Sequence, residues 1–164
     1  MNEVYLLLGS NIGDREVHLQ AAREYLEKHV GELSKTSSLY ETAAWGKTDQ
    51  ADFLNQAVCV ITELGHRALL ETLKRMEASL GRSAPATRWG PRELDADILL
   101  YADKVIRETG LEIPHASLCE RRFALVPLAE IAGSQVHPVH NRTISSLLED
   151  CEDASSVRCY LTGN

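Results

Sequence analysis

The order of strand-like and helix-like segments in the first two thirds of the chain constrains its fold more than any other feature. Four runs rich in apolar and β-branched residues cover positions 3–8, 33–40, 53–62 and 94–101. Two segments with helical spacing of apolar residues lie between them. Asp14 is placed to cap the first, which ends near Val30, and the second covers 67–80. This β-α-β-β-α-β order predicts an α+β fold, a ferredoxin-like sandwich whose antiparallel sheet carries helices on one face.

The last third of the chain adds shorter elements to this core. They comprise short pieces within 102–120, helices at 123–131 and 144–148, and an edge strand at 157–161. The sequence contains no internal repeat and no segment with the composition of a linker. A length of 164 residues suits one hydrophobic core. We therefore expect residues 1–164 to form a single domain.

Charge and hydropathy narrow the function classes. The formal net charge of -7 argues against a general nucleic-acid binder, which is usually basic. No apolar run approaches the roughly 20 residues that a membrane-spanning helix needs, and the N-terminus lacks a secretory signal pattern. We expect a cytoplasmic protein whose partners are small molecules rather than nucleic acid or membrane. We also expect a monomer.

Asp95 and Asp97 are the strongest candidates for chemistry. Side chains two apart on a strand point to the same face, so these carboxylates lie side by side while Ala96 and Ile98 face the other way. Adjacent acids repel each other unless a positive charge compensates them, and Mg²⁺ prefers carboxylate oxygens. The pair is thus suited to Mg²⁺·ATP. A solvated strand face, or salt bridges to nearby arginines, remains the alternative explanation for two acids alone.

Three arginines precede this strand in a basic, irregular segment: Arg82, Arg88 and Arg92. Guanidinium groups bind phosphate oxygens bidentately and stay charged. Acids for a metal beside arginines for phosphates are what phosphoryl-type transfer needs, because its catalysis depends mostly on positioning and charge stabilisation. Any single arginine fits a solvated loop equally well, but the three together favour a phosphate site.

The chain has only two phenylalanines, Phe53 and Phe123, and both lie next to polar segments. An aromatic ring beside a loop can stack on a flat heterocycle. Asn55 offers both a donor and an acceptor, which suits the edge of an aminopyrimidinone. Taken alone, each phenylalanine is more often a core residue.

Other patterns do not favour a site. The Gly-Lys-Thr run at 46–48 resembles the end of a Walker A loop, but Glu41 stands where that motif needs glycine. His137 and His140 enclose a proline, which favours an exposed turn over a metal site. The four cysteines lack metal-ligand spacing, so we expect reduced thiols, with Cys59 in the core.

Five motifs follow one another along most of the chain. They are Leu8-Gly9-Ser10-Asn11-Ile12-Gly13-Asp14, Tyr40-Glu41-Thr42 with Phe53-Leu54-Asn55-Gln56-Ala57-Val58, Arg88-Trp89-Gly90-Pro91-Arg92-Glu93-Leu94-Asp95-Ala96-Asp97-Ile98, Ile113-Pro114-His115, and Arg121-Arg122-Phe123-Ala124-Leu125-Val126-Pro127-Leu128. Together they resemble the 6-hydroxymethyl-7,8-dihydropterin pyrophosphokinase family of folate biosynthesis. The resemblance covers about residues 4 to 132.

This resemblance implies transfer of pyrophosphate from Mg²⁺·ATP to the hydroxymethyl group of the pterin, which gives AMP and the pterin diphosphate. It implies two Mg²⁺ ions on Asp95 and Asp97, with Arg82 and Arg92 completing the catalytic set. The implied ATP-binding residues are Leu70, Lys74, Glu77, Arg82, Arg88, Trp89, Arg92, Ile98, His115 and Arg121. The implied pterin-binding residues are Thr42, Ala43, Ala44, Trp45, Phe53, Asn55, Asp95 and Phe123.

The chain departs from the family pattern at several positions. Ala84 stands where a second basic residue is common, Phe53 where tyrosine is common, and Lys74 where glutamine is common. None of these changes removes a metal ligand or a stacking ring. Two rival interpretations remain: a metal-dependent phosphatase or nuclease that uses the acid pair, and a ferredoxin-like binding or regulatory module without catalysis.

Overall fold

A computed structural model describes residues 1–43, 51–81 and 93–161. The strands are β1 (Asn2–Ser10), β2 (Gly31–Thr36), β3 (Tyr40–Thr42), β4 (Phe53–Thr62), β5 (Asp95–Tyr101), β6 (Ile106–Glu108), β7 (Leu111–Ile113) and β8 (Val157–Cys159). The helices are α1 (Arg15–His29), α2 (His66–Leu80), α3 (Arg122–Ala132) and α4 (Ile144–Glu149), with a 3₁₀ turn at Leu118–Glu120. The α+β class predicted from the sequence is confirmed.

An antiparallel sheet with the strand order β5-β1-β4-β3-β8 forms the centre of the molecule, and β2 also pairs with β4. β6 and β7 form a separate hairpin. β1 lies between β4 and β5, so the third and fourth predicted strands flank the first. This is the strand neighbourhood of the predicted ferredoxin-like arrangement.

The second predicted strand, 33–40, is two strands in the structure. The break falls at Ser37, whose N–H donates to the Ala57 carbonyl at 2.8 Å and whose Oγ accepts from the Ala57 N–H at 2.9 Å. Gln56 Nε2 donates to the Ser37 carbonyl at 2.8 Å. Ser37 thus meets the polar groups of β4 with its side chain as well as its backbone, and this interrupts the ladder between β2 and β3.

Helices cover both faces of the sheet rather than one. On one face α1 and α2 pack on β1 and β4 through Leu19, Leu26, Leu69, Leu73 and Met76. On the other face α3 and α4 pack through Leu125, Leu128 and Ile144. The signal for this was the unbroken apolar run of β1, in which every residue from Val4 to Ser10 is buried, as expected for a strand covered on both faces.

The sequence predictions for α1 and for the cysteines have different outcomes. Asp14 caps α1 as predicted, because its Oδ1 accepts from the Val17 N–H at 3.2 Å. The helical spacing of apolar residues in the sequence predicts Val17 on the buried stripe of α1, but Val17 is 57% exposed. The four cysteines are free thiols, and Cys59 is fully buried as predicted.

Among the described residues, no helix has the length and apolarity to cross a bilayer.

Candidate functional site

Three strands bring the candidate residues into one row. In the antiparallel register, Gly9 of β1 pairs with Asn55 of β4 on one side and with Asp95 of β5 on the other. Directly opposed residues in an antiparallel sheet project from the same face. Asn55 and Asp95 therefore share a face, and the residue between them has no side chain.

The acid pair has the orientation that the sequence predicted. Ala96 and Ile98 belong to the core beneath α1 and α2. Because side chains alternate along a strand, Asp95 and Asp97 project from the opposite face, on the side of α3. Both aspartates are half-buried. They offer hard oxygen ligands on one surface.

One half of the site, formed by Gly9, Thr42, Phe53 and Asn55, is uncharged; we call it the amide pocket. Asn55 and Thr42 are 3% and 2% exposed, and Asn55 Nδ2 donates to Thr42 Oγ1 at 2.8 Å. Thr42 pairs with Phe53 across β3 and β4. A Cβ on Gly9 would lie 2.8 Å from Asn55 Oδ1 and 3.5 Å from Phe53 Cδ1. The absence of a side chain at position 9 thus leaves space for the Asn55 amide.

The other half, formed by Glu77, Asp95, His115 and Arg121, is the charged cluster. Glu77 Oε2 accepts from the Ala96 N–H at 2.9 Å, at the open edge of β5. The Asp95 carboxyl lies close enough to Glu77 to interact with it. Burial, with a further contribution from the Asp95 charge, raises the pKa of Glu77 to about 7, against the effect of the Ala96 hydrogen bond. Two carboxyls are therefore crowded at one edge of the sheet.

His115 lies close to Asp95 and to the positive charge of Arg121. The His115 N–H donates to the Leu99 carbonyl at 3.1 Å, which fixes the residue at the same strand edge. Its ring Nδ1 accepts from the Ser117 N–H at 3.1 Å, so the neutral ring carries its hydrogen on Nε2. Burial and then the Arg121 charge lower the pKa of His115, while Asp95 and Glu112 oppose the shift. This environment favours a neutral imidazole that donates from Nε2.

The two aromatic rings are half-buried, which lies between the core and stacking interpretations. Phe53 Cδ1 lies 3.5 Å from the position that a Cβ on Gly9 would take. The Arg121 guanidinium lies 5.6 Å from the centre of the Phe123 ring. A cation at this distance from a ring face is attracted to it. Phe123 therefore adjoins the charged cluster, and Phe53 belongs to the amide pocket.

The other predicted ligand contacts are more dispersed. Leu70 is half-buried on α2, Lys74 is exposed with its Nζ 3.9 Å from Glu77 Oε1, and Ala43 is exposed at the end of β3. The Ile98 side chain is 5% exposed and packs in the core, which leaves it little surface for a ligand. Six predicted site residues lie outside the described residues: Ala44, Trp45, Arg82, Arg88, Trp89 and Arg92.

The donor set fits a divalent cation. Asp95 and Asp97 present carboxylates from one face, and Glu77 adds a third carboxyl whose raised pKa reflects burial beside a like charge. A hard cation with oxygen ligands relieves such crowding. The same residues fit Mg²⁺ better than a soft metal, which prefers thiolate or imidazole.

A second group of potential ligands has the wrong polarity for a metal site. The ligand atoms of Cys119, His137 and His140 lie within 4.8 Å of one another. However, His137 Nδ1 accepts from the N–H groups of Val139 and His140 at 3.2 and 3.3 Å. A zinc-bound histidine donates a hydrogen from its second nitrogen rather than accepting one. His137 is therefore a buried residue that stabilises this turn.

Sequence reasoning missed Gly9 as a site residue. The glycines at 9 and 13 do not fit the dinucleotide-binding glycine pattern, so the sequence alone assigns Gly9 no role. Gly9 lies near the end of the buried strand β1, directly before two buried polar residues, Ser10 and Asn11. A glycine at the end of a strand, next to buried polar residues, is a signal for a close approach of another group.

Comparison with known proteins gives one consistent family. A family model described as 7,8-dihydro-6-hydroxymethylpterin-pyrophosphokinase (HPPK) matches residues 5–133. The 2-amino-4-hydroxy-6-hydroxymethyldihydropteridine pyrophosphokinase of Aquifex aeolicus is 43% identical over 144 residues, which are 88% of this chain and 89% of the relative. The protein of the same name from Bacillus subtilis is 47% identical over 131 residues, 79% of this chain and 78% of the relative.

Solved structures agree on the fold. The crystal structure of Plasmodium falciparum HPPK-DHPS with SDX-DHP superposes with a TM-score of 0.72 at 19% identity. The match covers 91% of this chain but 43% of the solved chain, so this chain spans less than half of that protein. At this identity the likeness shows a shared fold.

Proposed function

The chain belongs to the 7,8-dihydro-6-hydroxymethylpterin-pyrophosphokinase family, and we propose that the two halves of its site bind the two substrates of that reaction. The reaction transfers pyrophosphate from ATP to the hydroxymethyl group of 6-hydroxymethyl-7,8-dihydropterin in folate biosynthesis. The charged cluster takes the ATP phosphates, and the amide pocket takes the pterin. We also propose that the chain acts as one domain, as a monomer in the cytoplasm.

The observation that carries this assignment is the row Asn55–Gly9–Asp95. Neighbouring strands are about 4.8 Å apart, so residues on the two strands that flank β1 are separated by roughly 10 Å. That separation is comparable to the length of a bicyclic pterin. A pterin whose amino edge meets Asn55 extends its hydroxymethyl group towards Asp95.

The amide pocket recognises the pterin edge and holds its plane. Asn55 Nδ2 already donates to Thr42 Oγ1, which fixes the orientation of the amide. Among the contacts of the described residues, this leaves the Asn55 Oδ1 and its second N–H for the substrate. Gly9 leaves the ring system free to approach the sheet. Phe53 and Phe123 stack on the two faces of the ring.

The charged cluster orients the phosphates. Asp95 and Asp97 would hold Mg²⁺, with two ions expected. When bound, the metal lowers the pKa of the substrate hydroxyl and neutralises charge on the phosphate oxygens. His115 donates from Nε2, and Arg121 supplies positive charge beside His115. Arg82 and Arg92, which precede β5 in the sequence, supply the guanidinium groups for the transferring phosphates.

Positioning is the main contribution of the protein to the reaction. The hydroxymethyl oxygen attacks the β-phosphorus in line, and AMP leaves. In-line attack needs the two substrates in a fixed relative orientation, and a rigid sheet supplies it because Asn55 and Asp95 are fixed in register on either side of β1.

AMP formation with and without the pterin tests this function. Purified protein is incubated with Mg²⁺ and ATP, and nucleotides are separated by ion-exchange chromatography. AMP is expected only when 6-hydroxymethyl-7,8-dihydropterin is present, and chelation of the metal is expected to stop it. Pterin-independent release of ADP and phosphate would instead favour the rival phosphatase, and no turnover at all would favour the binding module.

A further inference from the structure

A group of four ionic residues supports the amide pocket from the opposite face of the sheet. The group consists of Arg15, Glu41, Asp52 and Arg158, and we call it the ionic clamp. Arg15 Nη1 lies 2.7 Å from Glu41 Oε2, and Arg158 Nη2 lies 3.1 Å from Glu41 Oε1. Each carboxylate oxygen of Glu41 therefore has its own arginine.

The clamp also holds the residue before Phe53. Arg15 Nη1 donates to the Asp52 carbonyl oxygen at 3.0 Å, and Arg158 Nη2 donates to Asp52 Oδ2 at 3.0 Å. The two arginines thus connect Glu41, on β3, with Asp52, which directly precedes β4. Glu41 directly precedes Thr42, and Asp52 directly precedes Phe53, so each acid is the chain neighbour of a residue of the amide pocket.

Alternation along the strands separates the clamp from the substrate. Glu41 pairs with Leu54, whose side chain packs in the core beneath α1 and α2. Thr42 pairs with Phe53 and so projects from the opposite face. The clamp therefore fixes the backbone of the pocket without touching the ligand site. Hydrogen bonds from Arg15 and then Arg158 hold the pKa of the Glu41 carboxyl below its usual range, so Glu41 stays ionised.

Arg158 comes from a part of the chain that the family match does not include. The family model ends at residue 133, whereas β8 covers Val157–Cys159. β8 pairs with β3 in the register Glu41↔Arg158, and the Tyr160 N–H donates to the Leu39 carbonyl at 2.8 Å. The Arg15 guanidinium lies 5.5 Å from the centre of the Tyr160 ring. The C-terminal strand is thus attached to the short strand that carries Thr42.

We propose that Arg158 is a positioning residue for the pterin substrate, acting with Arg15 through Glu41 and Asp52 to fix the ends of β3 and β4. The inference rests on the proposed pterin site at Thr42, Phe53 and Asn55. β3 has three residues, so its place beside β4 depends on what holds its outer side. A shift of β3 moves Thr42 away from Asn55 and releases the amide that meets the substrate.

Steady-state kinetics of Arg158→Ala in the full chain test the proposal. The KM for the pterin at saturating ATP is expected to rise about fivefold, the size of effect expected from losing exposed ion pairs. The KM for ATP and kcat are expected to stay within about twofold, because the charged cluster is carried by α2, β5 and residues 115–121, none of which holds a residue of the clamp. Arg158→Lys is expected to recover part of the loss, since one ammonium replaces one of two directed contacts.

Two further variants make the result specific. Arg142→Ala removes an exposed ion pair with Asp150 in the same C-terminal region and is expected to leave both KM values unchanged. Glu41→Gln is expected to raise the pterin KM, and combining it with Arg158→Ala should add less than the sum of the single effects.

The outcomes separate this inference from the proposed site. An unchanged pterin KM in Arg158→Ala, or equal rises in both KM values, contradicts the clamp. Phe123→Ala, measured in parallel, is expected to raise the pterin KM roughly 10- to 100-fold, as stacked rings do on truncation. If Phe123→Ala raises the pterin KM and Arg158→Ala does not, only the clamp is wrong. If neither does, the pterin site itself is misplaced.

Discussion

The two halves of the site differ in how far their own contacts satisfy them. In the amide pocket, Asn55 and Thr42 are buried, neutral and hydrogen-bonded to each other. In the charged cluster, burial raises the pKa of Glu77, and the charge of the nearby Asp95 carboxyl adds to this effect. Buried polar groups that pair with each other stabilise a fold, whereas crowded like charges destabilise it until a proton or cation intervenes. The first half contains no repulsion between like charges before a ligand binds, whereas the second half does.

This difference predicts where the substrates act on the protein. The amide pocket is preorganised, so changes there should affect recognition of the pterin. In the charged cluster, the repulsion between carboxylates acts when no metal is bound. Changes there should therefore reduce turnover and at the same time stabilise the fold. In the charged cluster, activity should therefore fall while stability rises. In the amide pocket, recognition of the pterin and stability should fall together.

The sharpest test of this contrast is the double change Asp95→Ala with Asp97→Ala. Turnover is expected to fall by at least roughly 10³-fold, because the carboxylates that would hold charge-stabilising metal are removed. The fold is expected to survive, since neither side chain belongs to the buried core. AMP release and thermal unfolding measure the two effects.

Asp103→Ala is the matched control, because Asp103 is exposed just after the same strand. It is expected to retain full turnover. Substantial activity in the double variant, with AMP still released in the presence of the pterin, would contradict the assignment of the metal to Asp95 and Asp97. It would also contradict the expectation that changes in the charged cluster reduce turnover.

Glu77→Gln tests, in the metal-free protein, whether a change in the charged cluster stabilises the fold. The folded-state pKa of about 7 lies above the ordinary value of 4.5, so folding favours the protonated carboxyl. The contribution of Glu77 to stability should therefore fall as pH rises from about 4.5 through 7, and level off above that. Glutamine keeps an acceptor for the Ala96 N–H without the charge. The variant should be more stable above pH 7 by on the order of 2 kcal/mol, with little difference near pH 4.5.

Urea unfolding at pH 5 and pH 8, without metal or nucleotide, measures this difference. Glu71→Gln, at an exposed position of α2, serves as the control and should show the same pH dependence as the wild type. A Glu77→Gln variant that is equally or less stable than the wild type at pH 8 would mean that the ionised Glu77 carboxylate, buried beside Asp95, does not destabilise the folded protein.

Sequence reasoning was most successful where a local pattern decides the outcome. The shared face of Asp95 and Asp97 follows from the period of a strand, and the Asp14 cap follows from helix-end chemistry. The break at Ser37 was missed because it depends on contacts with Gln56 and Ala57, which a single segment does not reveal.

Non-local pairing explains the other gaps. The pairing of β8 with β3 joins residues such as Arg158 and Glu41 that are 117 positions apart. Nothing in either segment specifies that partner, so the clamp was not predicted. The row through Gly9 likewise depends on the strand order β5-β1-β4, which places Asn55 and Asp95 on either side of one glycine. Motif matching alone gave Gly9 no role.

Gly9→Ala probes the contact between the two halves with the smallest chemical change. The added Cβ would lie 2.8 Å from Asn55 Oδ1, so the Asn55 amide must move, and its hydrogen bond to Thr42 with it. The pterin KM is expected to rise roughly tenfold, equivalent to about 1.4 kcal/mol, with the ATP KM nearly unchanged. Gly65→Ala, where a Cβ meets nothing within 4 Å, should change neither. An equal rise in both KM values for Gly9→Ala would mean that the strain spreads through β1 to Asp95, and that the two halves are one coupled site.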